Sequence, residues 1–208
     1  MGWRRKALLL CTGASLGWVA FCPWVMPPQA AALPVVPTFG ETIAKDVPYV
    51  PTPQEVVDAM LKLGKVNSED ILLDLGSGDG RIVITAARDY KVKKAVGVEI
   101  DPALVAESRR NIERAGVADR AEIIQQNLFD TDLSKYTVIT MYLLPSVNLR
   151  LRHKLLRLRP GTRIISHAFD MGGWQPDEVR QVNGRTIYLW IVPEPDKVNP
   201  EFLKEYRE

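Results

Sequence analysis

Asp74-Leu75-Gly76-Ser77-Gly78-Asp79-Gly80 sets three glycines at alternate positions behind a carboxylate, directly after a short apolar run. Without β-carbons, such a loop lets its backbone come close to a ligand. The spacing argues against two phosphate-binding loops. A dinucleotide fingerprint wants its third glycine three residues after the second, where this chain has Arg81. A P-loop wants Lys-Ser or Lys-Thr after the glycines, and neither follows here. What remains is a loop suited to a ligand without phosphate. A second apolar run ends in Gly97-Val98-Glu99, with Glu99 25 residues after Asp74. A carboxylate in that position can accept hydrogen bonds from both hydroxyls of a ribose. It also has to be paired, because an acid ending a buried strand otherwise carries a desolvation cost.

The elements that must position these residues follow from patterning. Ile71 to Leu75 is apolar apart from Asp74, as a parallel strand covered on both faces requires. A helix is expected from about Arg81 to Arg88, a second strand over Ala95 to Val98, and a helix begun by Asp101-Pro102 and ended at Gly116. Ile123 and Ile124 mark strand three and Val138 to Tyr142 strand four. Val147, Leu151, Leu155 and Leu158 line one face of a helix over Ser146 to Leu158. Arg163 to His167 reads as strand five. Asn183-Gly184 then signals a two-residue hairpin, with β-formers over Thr186 to Val192. Upstream, Thr52-Pro53-Gln54-Glu55 reads as a capped helix start, and Val56, Met60 and Leu63 fall on one face. This alternation predicts an α/β fold, a mainly parallel sheet with an antiparallel C-terminal hairpin strand. Ligands bind beyond the carboxyl ends of such strands, so chemistry is expected near 74–80, 99–101, 127–129, 142–145 and 167–174.

The 208 residues hold 27 basic and 25 acidic side chains and are 46% hydrophobic, the composition of one globular domain. Arg4, Arg5 and Lys6 precede any acid, so residues 33–208 carry 24 basic against 25 acidic groups. A globally basic nucleic-acid binder is not indicated. Both cysteines, Cys11 and Cys22, fall in the apolar N-terminal run, which leaves the domain no Cys/His zinc site and no disulfide framework. Residues 1–32 read as a signal peptide ending at Ala32, or as an uncleaved membrane anchor over Ala7 to Met26, with an organelle transit peptide as a third reading. The expected localisation is accordingly exported or membrane-anchored. Residues 33–51 read as a proline-rich linker, 52–195 as the domain and 196–208 as a C-terminal tail.

The glycine loop and Glu99 together resemble motifs I and II of the class I S-adenosylmethionine-dependent methyltransferases. That resemblance implies a Rossmann-like class I methyltransferase fold over about residues 47–192, with S-adenosyl-L-methionine as the cofactor. Gly76, Gly78 and Gly80 would line its methionine part, Glu99 would hold the ribose, Ile100 would pack on the adenine, and Asn127 and Leu128 would flank the base. A narrower likeness rests on Pro48-Tyr49-Val50-Pro51-Thr52-Pro53, on Leu73 to Arg81, and on Leu155 to Gly161 with Trp174-Gln175-Pro176. These are similar to the membrane-associated protein-lysine methyltransferases that act on the adenine nucleotide translocase and on the c-subunit of ATP synthase, and to their bacterial relatives. The same likeness places Tyr49, Thr52, Asp74 and Ser77 on the cofactor side. Met141 to Pro145 and His167 to Asp170 depart from the animal enzymes' pattern, so the reaction carries over better than the acceptor.

Methyl transfer from a sulfonium needs an aligned, uncharged nucleophile, and catalysis is mostly positioning. For a lysine of pKa ~10.4, neutralisation at pH 7 costs roughly 4.6 kcal/mol. Tyr142, His167, Phe169, Asp170 and Trp174 are the candidates for the acceptor channel. Tyr142 and Phe169 would enclose the methylene stem, and His167 or Asp170 would handle the proton. The alternative roles are core packing for the aromatic pair and a loop hydrogen bond or helix cap for His167 and Asp170. Arg150, Arg152, Lys154, Arg157, Arg159 and Arg163 form a group without an acid, either an anionic-surface patch or a solvated face. A nucleic-acid acceptor is not expected, because Met141-Tyr142-Leu143-Leu144-Pro145 stands where an Asp/Asn-Pro-Pro-aromatic signature would be. Three functions follow: a lysine methyltransferase acting on a membrane protein, a methyltransferase for a lipophilic small molecule, and a tethered cofactor-binding module without catalysis. A nicotinamide-dependent oxidoreductase is a distant fourth.

Overall fold

The structure, a computed structural model, describes residues 49–204. The signal, anchor and transit readings of residues 1–32 and most of the proline-rich segment lie outside the described residues. Seven strands form one sheet in the order β3-β2-β1-β4-β5-β7-β6. β1 (Ile71–Leu75), β2 (Lys94–Glu99), β3 (Ala121–Gln125), β4 (Val138–Met141) and β5 (Arg163–His167) are parallel. β7 (Arg185–Ile191) runs antiparallel to both β5 and β6 (Glu178–Val182). The expected α/β architecture is therefore present, including the reversed hairpin. Its turn holds Asn183 at φ 48° and Gly184 at φ 75°, the two positive angles that a type I′ turn needs.

Strand alternation divides the core between the two faces of the sheet. Leu72 joins α1 (Gln54–Leu63) and α2 (Arg81–Arg88) on one face through Val57, Met60, Ile82 and Ala86. Leu73 and Leu75 face the other way, toward Val147, Leu151 and Leu155 of α4 (Pro145–Leu155) and the fully buried Trp190. α3 (Pro102–Arg114) begins as expected, with the Asp101 carboxylate accepting from the Ala103 N–H at 2.9 Å.

Local signals are overridden in three places. The expected capping box at Thr52 does not form. Pro53 is the N-cap of α1 without a side-chain hydrogen bond, and the buried Thr52 hydroxyl instead meets His167 Nδ1 at 3.2 Å. α4 starts one residue early because Pro145 takes its first turn, and it stops at Leu155. The basic group is neither an open patch nor a wholly solvated face. Arg152 donates to Met171 O at 3.1 Å and covers the Phe202 ring, and Arg157 donates to Leu203 O at 2.8 Å. Lys154 donates to Phe129 O, and Arg150 lies 3.8 Å over the Phe129 ring. Arg163 donates to Gly64 O at 2.9 Å and pairs with Asp70. These cations tie separate segments together, and burying unpaired carbonyls without them would cost free energy.

Candidate active site

The strand order reverses between β1 and β4, and a cleft of about 920 Å³, counting its open mouth, lies beyond the carboxyl ends of the strands there. Its floor is the glycine loop. Gly76 and Ser77 donate their N–H groups to Val98 O at 2.9 and 3.0 Å, which pins the loop across the end of β2. Glu99 completes the tie. One carboxylate oxygen accepts from Gly78 N–H at 2.9 Å, and the other from Ile100 and Asp101 N–H at 2.8 and 3.0 Å. The pairing that an acid at the end of a buried strand requires thus comes from the backbone. Three of its roughly four acceptor positions are occupied.

Asp74 is buried at the end of β1 and lines the cleft, with Thr140 donating to it at 2.7 Å from β4. Burial pushes its carboxyl up to about 7; the Thr140 hydroxyl pulls the other way, and the nearby Glu99 and Asp79 charges add to the rise. A buried carboxyl aimed at a cleft and short of a cation is suited to a ligand ammonium. Ser77 lines the same floor, its buried hydroxyl without a hydrogen-bond partner.

One wall is the chain preceding α1. The Tyr49 ring lies on Gly78 so closely that a β-carbon there would come within 2.5 Å of Tyr49 Cε2. Arg81 fixes this strap by donating to Thr52 O at 2.7 Å, while its guanidinium is held by Asp79 at 2.6 Å. Opposite stand Ile100, Leu104, Asn127 and Leu128. The Asn127 side-chain oxygen accepts from Phe129 N–H at 2.9 Å and caps the short turn over Leu128–Asp130. Of the expected cofactor residues, Tyr49, Thr52, Asp74, Gly76, Ser77, Gly78, Glu99, Ile100, Asn127 and Leu128 line the cleft. Gly80 stands apart at the N-cap of α2 with φ 80°, where an added β-carbon would come within 3.1 Å of Ser108 Cβ, so its absence lets α2 and α3 meet.

At the far end, Tyr142 follows β4 into the cleft, with its ring 3.9 Å from that of the fully buried His167. Burial, with a contribution from Arg185, pushes the His167 imidazole down to about 4, so it is neutral at pH 7. Phe169 stacks 6.3 Å from Tyr142, and like His167 it stands behind that ring rather than lining the cleft. Asp170 is not among the residues lining the cleft; it is exposed, and its carboxylate accepts from Gly172 N–H at 2.9 Å. Trp174 belongs to the core rather than to an acceptor channel. It packs on Trp190, whose indole N–H donates to Trp174 O at 2.8 Å. Sequence reasoning missed Thr140, Arg81 and Gly97 as supports of the site. Only Gly97 carried a local signal, because an isolated glycine inside a buried strand marks a close approach.

The ANTKMT methyltransferase domain family matches residues 74–178. A protein-lysine N-methyltransferase of Saccharolobus islandicus is 52% identical over 153 residues, covering 71% of this chain and 95% of that protein. The human lysine N-methyltransferase of the ATP synthase c-subunit is 36% identical over 69% of this chain, a match that spans 61% of the human protein. Among solved structures, an RNA methyltransferase from Salinibacter ruber, crystallised with S-adenosyl-L-homocysteine, is 54% identical with a TM-score of 0.70. The match covers 75% of this chain and all of that one. The cofactor is S-adenosyl-L-methionine, and the cleft fits it: a glycine floor, a backbone-held carboxylate at its edge, and a buried acid short of a cation. The chain belongs to the ANTKMT methyltransferase domain family, a family of S-adenosylmethionine-dependent protein-lysine methyltransferases.

Proposed function

We propose that the protein transfers the methyl group of S-adenosylmethionine to a lysine side chain of a membrane protein. The observation that carries this reading is the aromatic end of the cleft, formed by Tyr142, whose ring is backed by the buried neutral imidazole of His167 and by Phe169. Such a wall suits a lysine's methylene stem and desolvates its amine, which favours the uncharged nucleophile. When bound, the cofactor supplies the sulfonium methyl. Asp74 would hold its ammonium, Glu99 a ribose hydroxyl, and Ile100 and Leu128 its base. His167, at about 4, is far too weak a base to take a proton from an amine of pKa ~10.4, so it supports the Tyr142 ring rather than moving the proton. Asp170→Asn is expected to leave transfer within about twofold, and Tyr142→Ala to lower it by at least about tenfold.

Asp74 gives the cofactor reading a measurable consequence. A carboxyl raised to about 7 is roughly half protonated at pH 7, and a cation beside it favours the ionised form. Cofactor binding at pH 7 is therefore expected to release up to about half a proton. Calorimetry in buffers of different ionisation enthalpy measures this release, and Asp74→Asn should abolish it.

A membrane acceptor is supported by the human relative, named for its action on the ATP synthase c-subunit, and by the apolar run of residues 7–26, which we propose anchors the domain at a membrane. The test is label transfer by the full chain to separated membrane proteins, soluble proteins, RNA and lipid extract from the source organism. Label in a discrete membrane-protein band is the expected result. Label only in soluble protein removes the membrane acceptor, label in RNA moves the protein toward the activity named for its Salinibacter ruber relative, and label in lipid points to a lipophilic acceptor.

A further inference from the structure

The segment leaving β5 is strained. Phe169 N–H donates to His167 O at 2.9 Å, which closes a three-residue turn around Ala168 at φ 68°. A turn of this kind with a positive central angle is rare, and alanine gives it no relief. Strain of this sort persists only where the surroundings over-determine it. Here they do. The Ser166 hydroxyl donates to Phe169 O at 2.6 Å, and Asn148 Nδ2 donates to Phe169 O and Asp170 O at 3.2 and 3.1 Å. Ala168 N–H is held by Thr186 O at 2.8 Å. Asn148 and Ser166 are both fully buried, and Asn148 Oδ1 has no hydrogen-bond partner. A buried amide with one end unsatisfied is costly, and what the other end secures is the pair of carbonyls beyond Ala168.

We infer that Asn148 and Ser166 are positioning residues: they clamp the strained turn at Ala168 and thereby set the ring of Tyr142, the cleft wall against which the acceptor amine lies. The turn has His167 on one side, under the Tyr142 ring, and Phe169 on the other, stacked toward it. Releasing the clamp lets both flanks of Tyr142 relax while the cofactor floor, on β1 and β2, is untouched. The inference rests on the reading of this wall as the acceptor end of the cleft.

The test uses the full chain labelled with 3-fluorotyrosine, the Tyr142 resonance being assigned with Tyr142→Phe. Asn148→Asp keeps the shape, removes both N–H donors and turns a second oxygen on the two carbonyls. The expected result is a shifted or broadened Tyr142 line, S-adenosylhomocysteine affinity within about threefold of the parent, and transfer lowered by about tenfold or more. Activity relative to the parent recovers as pH falls from about 8 to about 6, because a protonated carboxyl regains one donor. Ala168→Gly in the same background, which removes the strain the clamp opposes, restores the line. Ser166→Ala moves the line in the same direction and takes the place of Asn148→Asp if that variant does not fold. An unchanged Tyr142 line in these variants, or a shifted line that Ala168→Gly does not restore, overturns the inference. The fluorine line needs no acceptor, so a shifted line in Asn148→Asp alongside a parent that transfers nothing to lysine condemns the proposed function and leaves the clamp standing.

Discussion

Replacing Glu99 by alanine is expected to lower the affinity for S-adenosylhomocysteine by at least about 100-fold, a loss of about 2.7 kcal/mol. The size follows from what the carboxylate holds. Gly78, Ile100 and Asp101 each direct a backbone N–H at it within 3.0 Å. Hydrogen bonds to a charged group contribute about 1.5 to 3 kcal/mol each, so the variant loosens the loop that forms the cleft floor as well as losing the ribose acceptor we propose. Glu99→Gln keeps one acceptor oxygen but turns an NH2 toward backbone donors, and about a tenfold loss is expected of it. Calorimetry on the folded variants measures both. An affinity for Glu99→Ala within about threefold of the parent would contradict the role assigned to this carboxylate.

Gly97→Ala is expected to overpack the support of the cleft floor. The new β-carbon would lie 2.5 Å from Ser77 Oγ, 2.6 Å from Ser77 Cβ and 2.5 Å from Ile123 Cδ1. Ser77 cannot simply retreat, because its N–H and that of Gly76 are bonded to Val98 O. Ile123 is fixed across from Gly97 by the β2–β3 register. Overpacking of this kind costs about 1 to 3 kcal/mol, which for a domain of this size lowers Tm by about 3 to 10 °C. Displacement of the loop lowers cofactor affinity as well. Ser77→Gly in the same background is expected to restore much of the loss, since the Ser77 hydroxyl has no hydrogen-bond partner to forfeit. Equal Tm for parent and Gly97→Ala would show that the loop does not rest on β2 as described.

Features governed by neighbours in the chain are legible in the amino-acid sequence. Gly76 and Gly78 of the loop, the Asp101 cap, the Asn183-Gly184 turn and the apolar β1 each carry their cause within a few residues, and each is found where its signal placed it. Features governed by distant contacts are not. Thr52 has the local chemistry of a helix cap, yet its partner is His167, 115 residues away. The cations of α4 and β5 look like one charged face, but each is committed to a different carbonyl or ring. Trp174 follows a strand end and so has the look of a channel residue; the hairpin that returns along β5 brings Trp190 against it and makes it core. Glu99 plainly needs partners, but only the folded loop shows that the backbone supplies them.

The most direct measurement is the chemical identity of the methylated product. Full-length protein is incubated with methyl-labelled S-adenosylmethionine and protein from the source organism, and the labelled protein is hydrolysed to amino acids, with Glu99→Ala as the control. Label in ε-N-methylated lysine that disappears with Glu99→Ala is the expected result. Label in another amino acid, or label confined to RNA or lipid while hydrolysed protein carries none, would contradict lysine methylation as the function of this cleft.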